Sequence, residues 1–242
     1  MDFLYAVMNP EELQKFKTFS DQIQIRLQSY LDILEDRYRV TDLPGCIVLA
    51  SAKTATERIG NIPLPAYTNE LRTVFCPELP AWREFYLQQL DGSELPEVRH
   101  YYETILTENH ILQILGHEFV HHSELFLDEA YESARWFEEG MCEYISRRFF
   151  LTEEQFQEEA RINDLLVEAH DRKWGNHPLE GFCADTYEGS YASIFHFYWI
   201  SFLAVNKIIQ HYNDDIMAVF QAYHRWFESG MPCPLSEWFH IV

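Results

Sequence analysis

The sequence predicts an α+β protein in which a small sheet lies in the first third and a mostly helical remainder follows. Short apolar runs between Pro and Gly residues indicate strands before residue 80. From about residue 97, apolar residues recur at spacings of three and four, which is typical of helices. The 242 residues are enough to bury a substantial core, and no internal repeat divides them.

The N-terminal third contains one long helix and two strands. Pro10 followed by two glutamates favours a helix start, and the apolar spacing predicts a helix over residues 10–39. The run C-I-V-L-A at 46–50 predicts a buried strand, and 72–76 a second short strand closed by prolines. Residues 51–70 carry Gly, Pro and Asn and are predicted to be irregular.

The remainder is predicted to be helical with few interruptions. A short helix at 82–90 and a turn at 91–93 lead into a helix over about 97–125, which is apolar nearly all round its middle and is predicted to be central. Residues 128–135 connect it to the next helix, and 171–190 form the longest break. Further helices are predicted at 136–150, 153–170, 190–212 and 214–228.

This layout predicts one two-lobed domain over residues 1–242. The first lobe, to about residue 125, contains the first helix, the small sheet and the central helix. The second lobe, from about residue 126, is helical.

Charge and composition limit the class of partner and the compartment. The net charge of −21 argues against nucleic acid and anionic membranes. Five scattered cysteines without a C-x-x-C pair predict free thiols, and no signal peptide or apolar run of about 20 residues is apparent. We therefore expect a soluble, cytoplasmic protein, with the oligomeric state left open.

A metal-binding pattern lies in the central helix, at residues 116–121, G-H-E-F-V-H. The spacing of His117 and His121 places both imidazoles on one helix face, where both can bind one zinc ion. Glu118, beside the first histidine, can hold a water on that ion. Buried in an apolar helix, these polar groups need partners.

A third ligand is expected, because catalytic zinc takes three protein ligands and keeps one position for water. Metzincins have a histidine six residues after the second histidine of the motif, but this position is Leu127. The alternative is a glutamate on the next helix. Glu139 and the neighbouring Glu138, which point about 100° apart round that helix, are the candidates.

Residues 136–144, W-F-E-E-G-M-C-E-Y, resemble the W-x-x-E-G-x-x-x-Y segment of gluzincin metallopeptidases. The resemblance covers about residues 110–150 and is shared with the compact peptidase-MA-like domains. It implies a thermolysin-like minimal core and a zinc cofactor held by His117, His121 and Glu139. It also implies that Glu143, four residues on, orients a histidine ligand.

The resemblance further implies hydrolysis of peptide bonds by a zinc-bound water. Glu118 is the expected general base, which takes the proton of the water and passes it to the leaving amine. Gluzincins stabilise the oxyanion with a Tyr or His from a later helix. Tyr187, Tyr191 and His196 are candidates here, with Tyr191 preferred as the electrophile.

Specificity is not carried over from the family. The G-x-M-E-N motif of aminopeptidases is absent, since residues 66–70, A-Y-T-N-E, resemble it only superficially. We expect a peptide or protein substrate along the edge of the small sheet. Two alternatives stay open: a non-enzymatic zinc-binding structural or interaction module, and a zinc hydrolase of non-peptide amides or esters.

Overall fold

The computed structural model, which describes residues 1–60, 64–90 and 94–241, has an α+β fold. A four-stranded sheet stands at the N-terminal side, and the rest of the described chain is mostly helical. The predicted fold class is confirmed at this level. The five cysteines all have free thiols, as expected.

The sheet is mixed, with the strand order β1-β2-β4-β3. Its strands are β1 (Asp2–Ala6), β2 (Cys46–Ala50), β3 (Ala66–Thr68) and β4 (Arg72–Phe75). Strands β1, β2 and β4 are parallel, and β3 pairs antiparallel with β4 at the sheet edge. Strand β2 has the predicted bounds, whereas β1 was not predicted and β3 lies in a region predicted to be irregular.

Ten α-helices occur in the described ranges. They are α1 (Pro10–Tyr38), α2 (Ala52–Thr54), α3 (Leu79–Gln88), α4 (Pro96–His100), α5 (Glu108–Val120), α6 (Tyr131–Phe150), α7 (Glu153–Trp174), α8 (Tyr191–His211), α9 (Ile216–Glu228) and α10 (Leu235–Trp238). Helix α1 begins as predicted, because the side chain of Asn9 accepts a hydrogen bond from the Glu12 N–H and Pro10 follows it.

The prediction of a single helix over about 97–125 is wrong. Helix α4 runs into a π-helical turn at Tyr101–Ile105, and α5 begins only at Glu108. The break is stabilised locally, because the Thr107 N–H donates to Nδ1 of His110 at 3.0 Å. A capping box usually has Glu or Gln at this position, so the sequence with His110 did not predict a helix start there.

The irregular stretch predicted at 51–70 is also more ordered than expected. Helix α2 continues into a π-helical turn at Ala55–Ile59, before β3. Residues 61–63 of that stretch, and the turn predicted at 91–93, lie outside the described residues. The division into two lobes near residue 125 stays a prediction.

Helices α5, α6 and α8 pack against one another in the centre of the molecule, with an aromatic-rich core around them. Helix α6 contains a kink at Ala134, so its straight part begins where the sequence predicts a helix. At Gly140, an added Cβ atom would lie 2.5 Å from the Ser201 carbonyl oxygen and 2.6 Å from Cγ2 of Val205. Glycine at this position therefore lets α6 and α8 approach closely.

Helix α8 is longer than the apolar run in the sequence. By length and composition alone it could cross a membrane, but 72 % of its most apolar window is buried inside the protein. Core helices of soluble proteins share this property.

We expect Gly140→Ala to destabilise the protein. The clash with backbone atoms of α8 outweighs the roughly 1 kcal/mol that alanine adds in helix propensity, for a net loss of about 1–3 kcal/mol. Urea unfolding measures the change in the free energy of unfolding. Gly45→Ala is the control, because a Cβ atom at Gly45 contacts nothing within 4 Å. Equal unfolding midpoints for the two variants would contradict the tight contact.

Candidate metal centre

The end of α5 presents the two histidines of the motif to the interior. His117 is buried in the last turn, and His121 follows at the helix end in αR conformation. The preceding Gly116 is packed against the rings of Phe150 and Tyr30, and its carbonyl oxygen accepts a hydrogen bond from the Tyr30 hydroxyl at 3.2 Å. The backbone of this turn is thus fixed from the side opposite the cleft-facing residues.

His117, His121 and Glu139 bring three ligand atoms together. Nε2 of His117 lies 3.1 Å from Nε2 of His121 and 3.2 Å from Oε2 of Glu139. The third separation, from His121 Nε2 to Glu139 Oε2, is 3.5 Å. Bonds of about 2.0–2.1 Å to a tetrahedral zinc give ligand separations of roughly 3.3–3.4 Å. The three atoms therefore fit a zinc ion between them.

Carboxylates on the far side of both rings favour this arrangement. Nδ1 of His121 lies 2.8 Å from Oε1 of Glu138, and Nδ1 of His117 lies 3.0 Å from Oε1 of Glu143, off the ideal hydrogen-bond angle. A carboxylate only accepts hydrogen bonds, so each Nδ1 carries the hydrogen. Without an ion, one of the two rings must carry hydrogens on both nitrogens and donate to the other across 3.1 Å; with an ion, both Nε2 lone pairs are free to bind it.

The charge of the cleft also suits a divalent cation. Glu118, Glu138 and Glu139 line it, and Arg135 is the one basic residue among the described lining residues if the histidines are neutral. Two negative charges stay uncompensated. Burial alone would raise the pKa of Glu139, but His121 and His117 hold it well below its usual range. Its Oε2 accepts no hydrogen bond from the described residues, which leaves that atom available to a metal.

Glu118 is separate from the ligand atoms but lines the same cleft. It is only 8 % exposed. Burial raises its pKa, and the nearby Glu139 adds to this, whereas His117 and His121 lower it. A carboxylate of raised pKa beside the ligands is suited to accept and return a proton.

The ligand atoms open into a cleft of about 380 Å³. Its described lining residues come from β3, α5, α6, α8 and the segment before α8: Leu64, Ala66, Tyr67, Thr68, His117, Glu118, His121, Tyr131, Arg135, Glu138, Glu139, Tyr187 and Tyr198. One wall of it is the edge of β3 that pairs with no other strand in the described part of the chain.

Two tyrosine hydroxyls face the ligands. Tyr187 donates to Oε1 of Glu139 at 3.4 Å, and its oxygen lies 2.8 Å from that of Tyr198. Since Tyr187 has one hydrogen, Tyr198 is the donor in the second contact. Burial and Glu139 raise the pKa of both hydroxyls, so both stay protonated at neutral pH.

Tyr191, the preferred electrophile, is not among the cleft-lining residues. Its ring packs against Phe85 at 4.9 Å, at the first residue of α8. Tyr198 lies seven residues on, which is about two helical turns, on the same helix face and about 10 Å further along. Of these two tyrosines on one helix face, Tyr198 lines the cleft and Tyr191 does not. This seven-residue offset is the signal that would have found Tyr198.

The other candidate histidines lie outside the ligand cluster. His196 is two residues before Tyr198, about 200° round the helix, and so faces away from the cleft. Burial lowers its pKa to about 3. His122 Nε2 contacts Oγ1 of Thr68 on β3 at 2.9 Å.

Sequence reasoning also missed Arg135 and the role of Glu138. Arg135 lies behind Tyr131, with its guanidinium 4.4 Å from the ring centre and its Nη2 2.9 Å from Oε1 of Glu132. Its position four residues before Glu139 places it on the same helix face, which the sequence could have indicated despite the kink. Glu138 is next to Glu139 in the sequence and points in a different direction round the helix. Its carboxylate contacts Nδ1 of His121 and not the space between the three ligand atoms.

We expect Glu138→Gln to weaken metal binding about 10–100-fold, because His121 loses the carboxylate that fixes its ring. Zinc titration of metal-free protein measures this affinity. Glu124→Gln is the control, since Glu124 is exposed and contacts Thr41 instead of a histidine. Equal zinc affinities of the two variants would show that Glu138 does not support the ligand.

Comparisons of the chain with known proteins identify no relative. No family model matches the chain, and no curated protein or solved structure matches it. The resemblance to gluzincins is thus carried by the motif residues themselves, and the chemistry is argued from the site.

Proposed function

We propose that this protein is a zinc-dependent metallohydrolase with a thermolysin-like minimal gluzincin core, and that it hydrolyses peptide bonds. The observation that carries the proposal is the convergence of His117 Nε2, His121 Nε2 and Glu139 Oε2 at separations of 3.1–3.5 Å in an open cleft. Zinc bound there would polarise a carbonyl and lower the pKa of a water toward about 7.

Glu118 is the general base in this proposal. Its carboxylate lines the cleft one residue from the first histidine, and its low exposure keeps bulk water from competing for the proton. It accepts a proton from the attacking water and returns it to the leaving amine. The raised pKa eases the second step, in which the protonated acid must exist at working pH.

Tyr198 replaces Tyr191 as the proposed oxyanion donor. Its hydroxyl donates a hydrogen bond to the hydroxyl oxygen of Tyr187, which is uncharged. When substrate binds, the Tyr198 hydroxyl can donate to a substrate oxygen in place of this acceptor. Tyr187 is held on the Glu139 carboxylate and positions Tyr198. A preorganised donor of this kind contributes several kcal/mol when charge develops on the oxygen.

The edge of β3 supports an extended substrate. Ala66, Tyr67 and Thr68 line the cleft, and within the described ranges β3 pairs with β4 alone. A peptide added as a further strand would gain main-chain hydrogen bonds from that edge. Arg135, the basic residue of the described lining, would meet an acidic group of the substrate.

The open cleft favours an enzyme over a structural zinc module. A structural site has four protein ligands, whereas the group found among the described residues has three. Glu118, which a structural site does not need, faces the same cleft. A hydrolase of non-peptide amides or esters would use the same residues, and the β3 edge is the feature that favours peptides.

We expect Glu118→Gln to keep the zinc and lose hydrolysis. The amide preserves shape but cannot accept the proton, so turnover of a mixed library of quenched fluorescent peptides falls at least 10²-fold. Metal content, measured on protein purified without chelator, stays equal to that of the wild type, and Glu124→Gln retains activity. Undiminished turnover in Glu118→Gln would exclude Glu118 as the base, and absence of zinc from the wild type would exclude the whole proposal.

We expect Tyr198→Phe to lower kcat about 10²–10³-fold while KM changes little, because the donor acts only on the developing oxyanion. Tyr191→Phe is the matched control on the same helix face and leaves kcat unchanged. Steady-state kinetics on one cleaved peptide distinguish the two. A loss in Tyr191→Phe with full activity in Tyr198→Phe would reverse the assignment.

A further inference from the structure

A second group of ligand-type side chains lies where the end of α7 meets the start of α8. Asp171 Oδ1 lies 3.9 Å from Nδ1 of His170 and 3.8 Å from Nε2 of His196. All three ligand atoms are within 4.8 Å of one another. These separations are too long for hydrogen bonds, so the atoms surround a gap instead of bonding each other.

The polar atoms around this gap lack partners among the described residues. They are Nδ1 of His170, Oδ1 of Asp171, and both ring nitrogens of His196. His196 is 0 % exposed and His170 is 5 % exposed, so water from the bulk does not reach them freely. A buried polar atom without a partner is destabilising, and four such atoms around one gap favour a common partner.

A fourth possible ligand, the imidazole of His177, lies nearby. The exposed His177 has its ring 5.7 Å from that of His170 and 5.6 Å from that of His196. Three imidazoles and one carboxylate suit zinc or a neighbouring divalent transition ion, and not calcium or magnesium, which take oxygen ligands.

We propose that His170, Asp171 and His196, completed by His177, form a second binding site for a divalent transition metal. Binding requires two small movements. The rings of His170 and His196 stack at 3.8 Å with planes 18° apart, so one ring must turn about its Cβ–Cγ bond to aim its lone pair at the ion. Asp171 Oδ1 must also approach each of the two ring nitrogens by about 0.5 Å, to the separation of roughly 3.3–3.4 Å between ligand atoms on a tetrahedral zinc ion.

This site is independent of the proposed hydrolysis, but it has a consequence for the cleft. His177 and His196 bracket the segment that contains Tyr187, whose hydroxyl donates to Glu139. A metal that joins α7, His177 and α8 ties both ends of this segment. The second metal would therefore hold Tyr187 in place without touching a substrate.

Metal stoichiometry tests the proposal directly. Metal-free protein, prepared by dialysis against a chelator, is titrated with Zn²⁺ by calorimetry and with Co²⁺ by absorption. We expect about two ions per chain in the wild type, about one in Asp171→Asn, and about one in Glu139→Gln. The double variant should bind none. Asp171 is partly exposed, so its substitution by asparagine is not expected to prevent folding, which circular dichroism checks.

Two further variants test the ligand assignment. His177→Ala should lower the affinity of the second ion at least tenfold, and His211→Ala, at an exposed histidine of α8, should not change it. Hydrogen exchange of residues 178–190 should quicken in Asp171→Asn. One ion in the wild type, with Asp171→Asn unchanged, would overturn the proposal and assign a bridging water to the gap. Two ions in the wild type and one in Glu139→Gln support it even if no peptide is hydrolysed.

Discussion

The contact between Gly140 and the backbone of Ser201 is the constraint on which the geometry of the site depends. Glu139 precedes this glycine on α6, and Tyr198 lies one turn before the serine on α8. Because no side chain separates the helices there, their register and distance are set by backbone atoms. A ligand and a hydroxyl from different helices are thereby held at a fixed separation, which flexible side-chain packing would not ensure.

A network of buried charged side chains lies next to the site. Arg147 pairs with Glu143, which contacts His117, and also lies 3.5 Å from Glu159. Glu159 in turn accepts a hydrogen bond from the Tyr101 hydroxyl. Such a buried network is favourable only when each member is satisfied, and it joins the ligand helix α6 to α7. The imidazole of His117 is thus oriented by charges that reach well beyond its neighbours.

The sequence predicted much of the helical layout, and helical periodicity placed His117 and His121 on one face. Glu139, on another helix, was named through the resemblance to gluzincins, and its Oε2 lies 3.2 Å and 3.5 Å from the Nε2 atoms of the two histidines. It did not predict β1, whose five residues pair with β2 only through contacts distant in the chain. It favoured Tyr191, which periodicity cannot distinguish from Tyr198, and only the tertiary structure shows that Tyr198 lines the cleft and Tyr191 does not. The break before α5 depends on His110, an unusual helix-capping side chain.

The hydrogen bond between His122 and Thr68 connects the end of α5 to strand β3. It joins the residue after a ligand histidine to the strand whose free edge faces the cleft. A molecule that displaces this edge therefore also acts on the end of α5, and an ion that fixes the end of α5 acts on the edge. By thermodynamic reciprocity, whatever factor one occupant contributes to the affinity of the other is returned in equal measure. Binding at the strand edge and binding of an ion at the end of α5 are therefore two linked equilibria, with this hydrogen bond as the link.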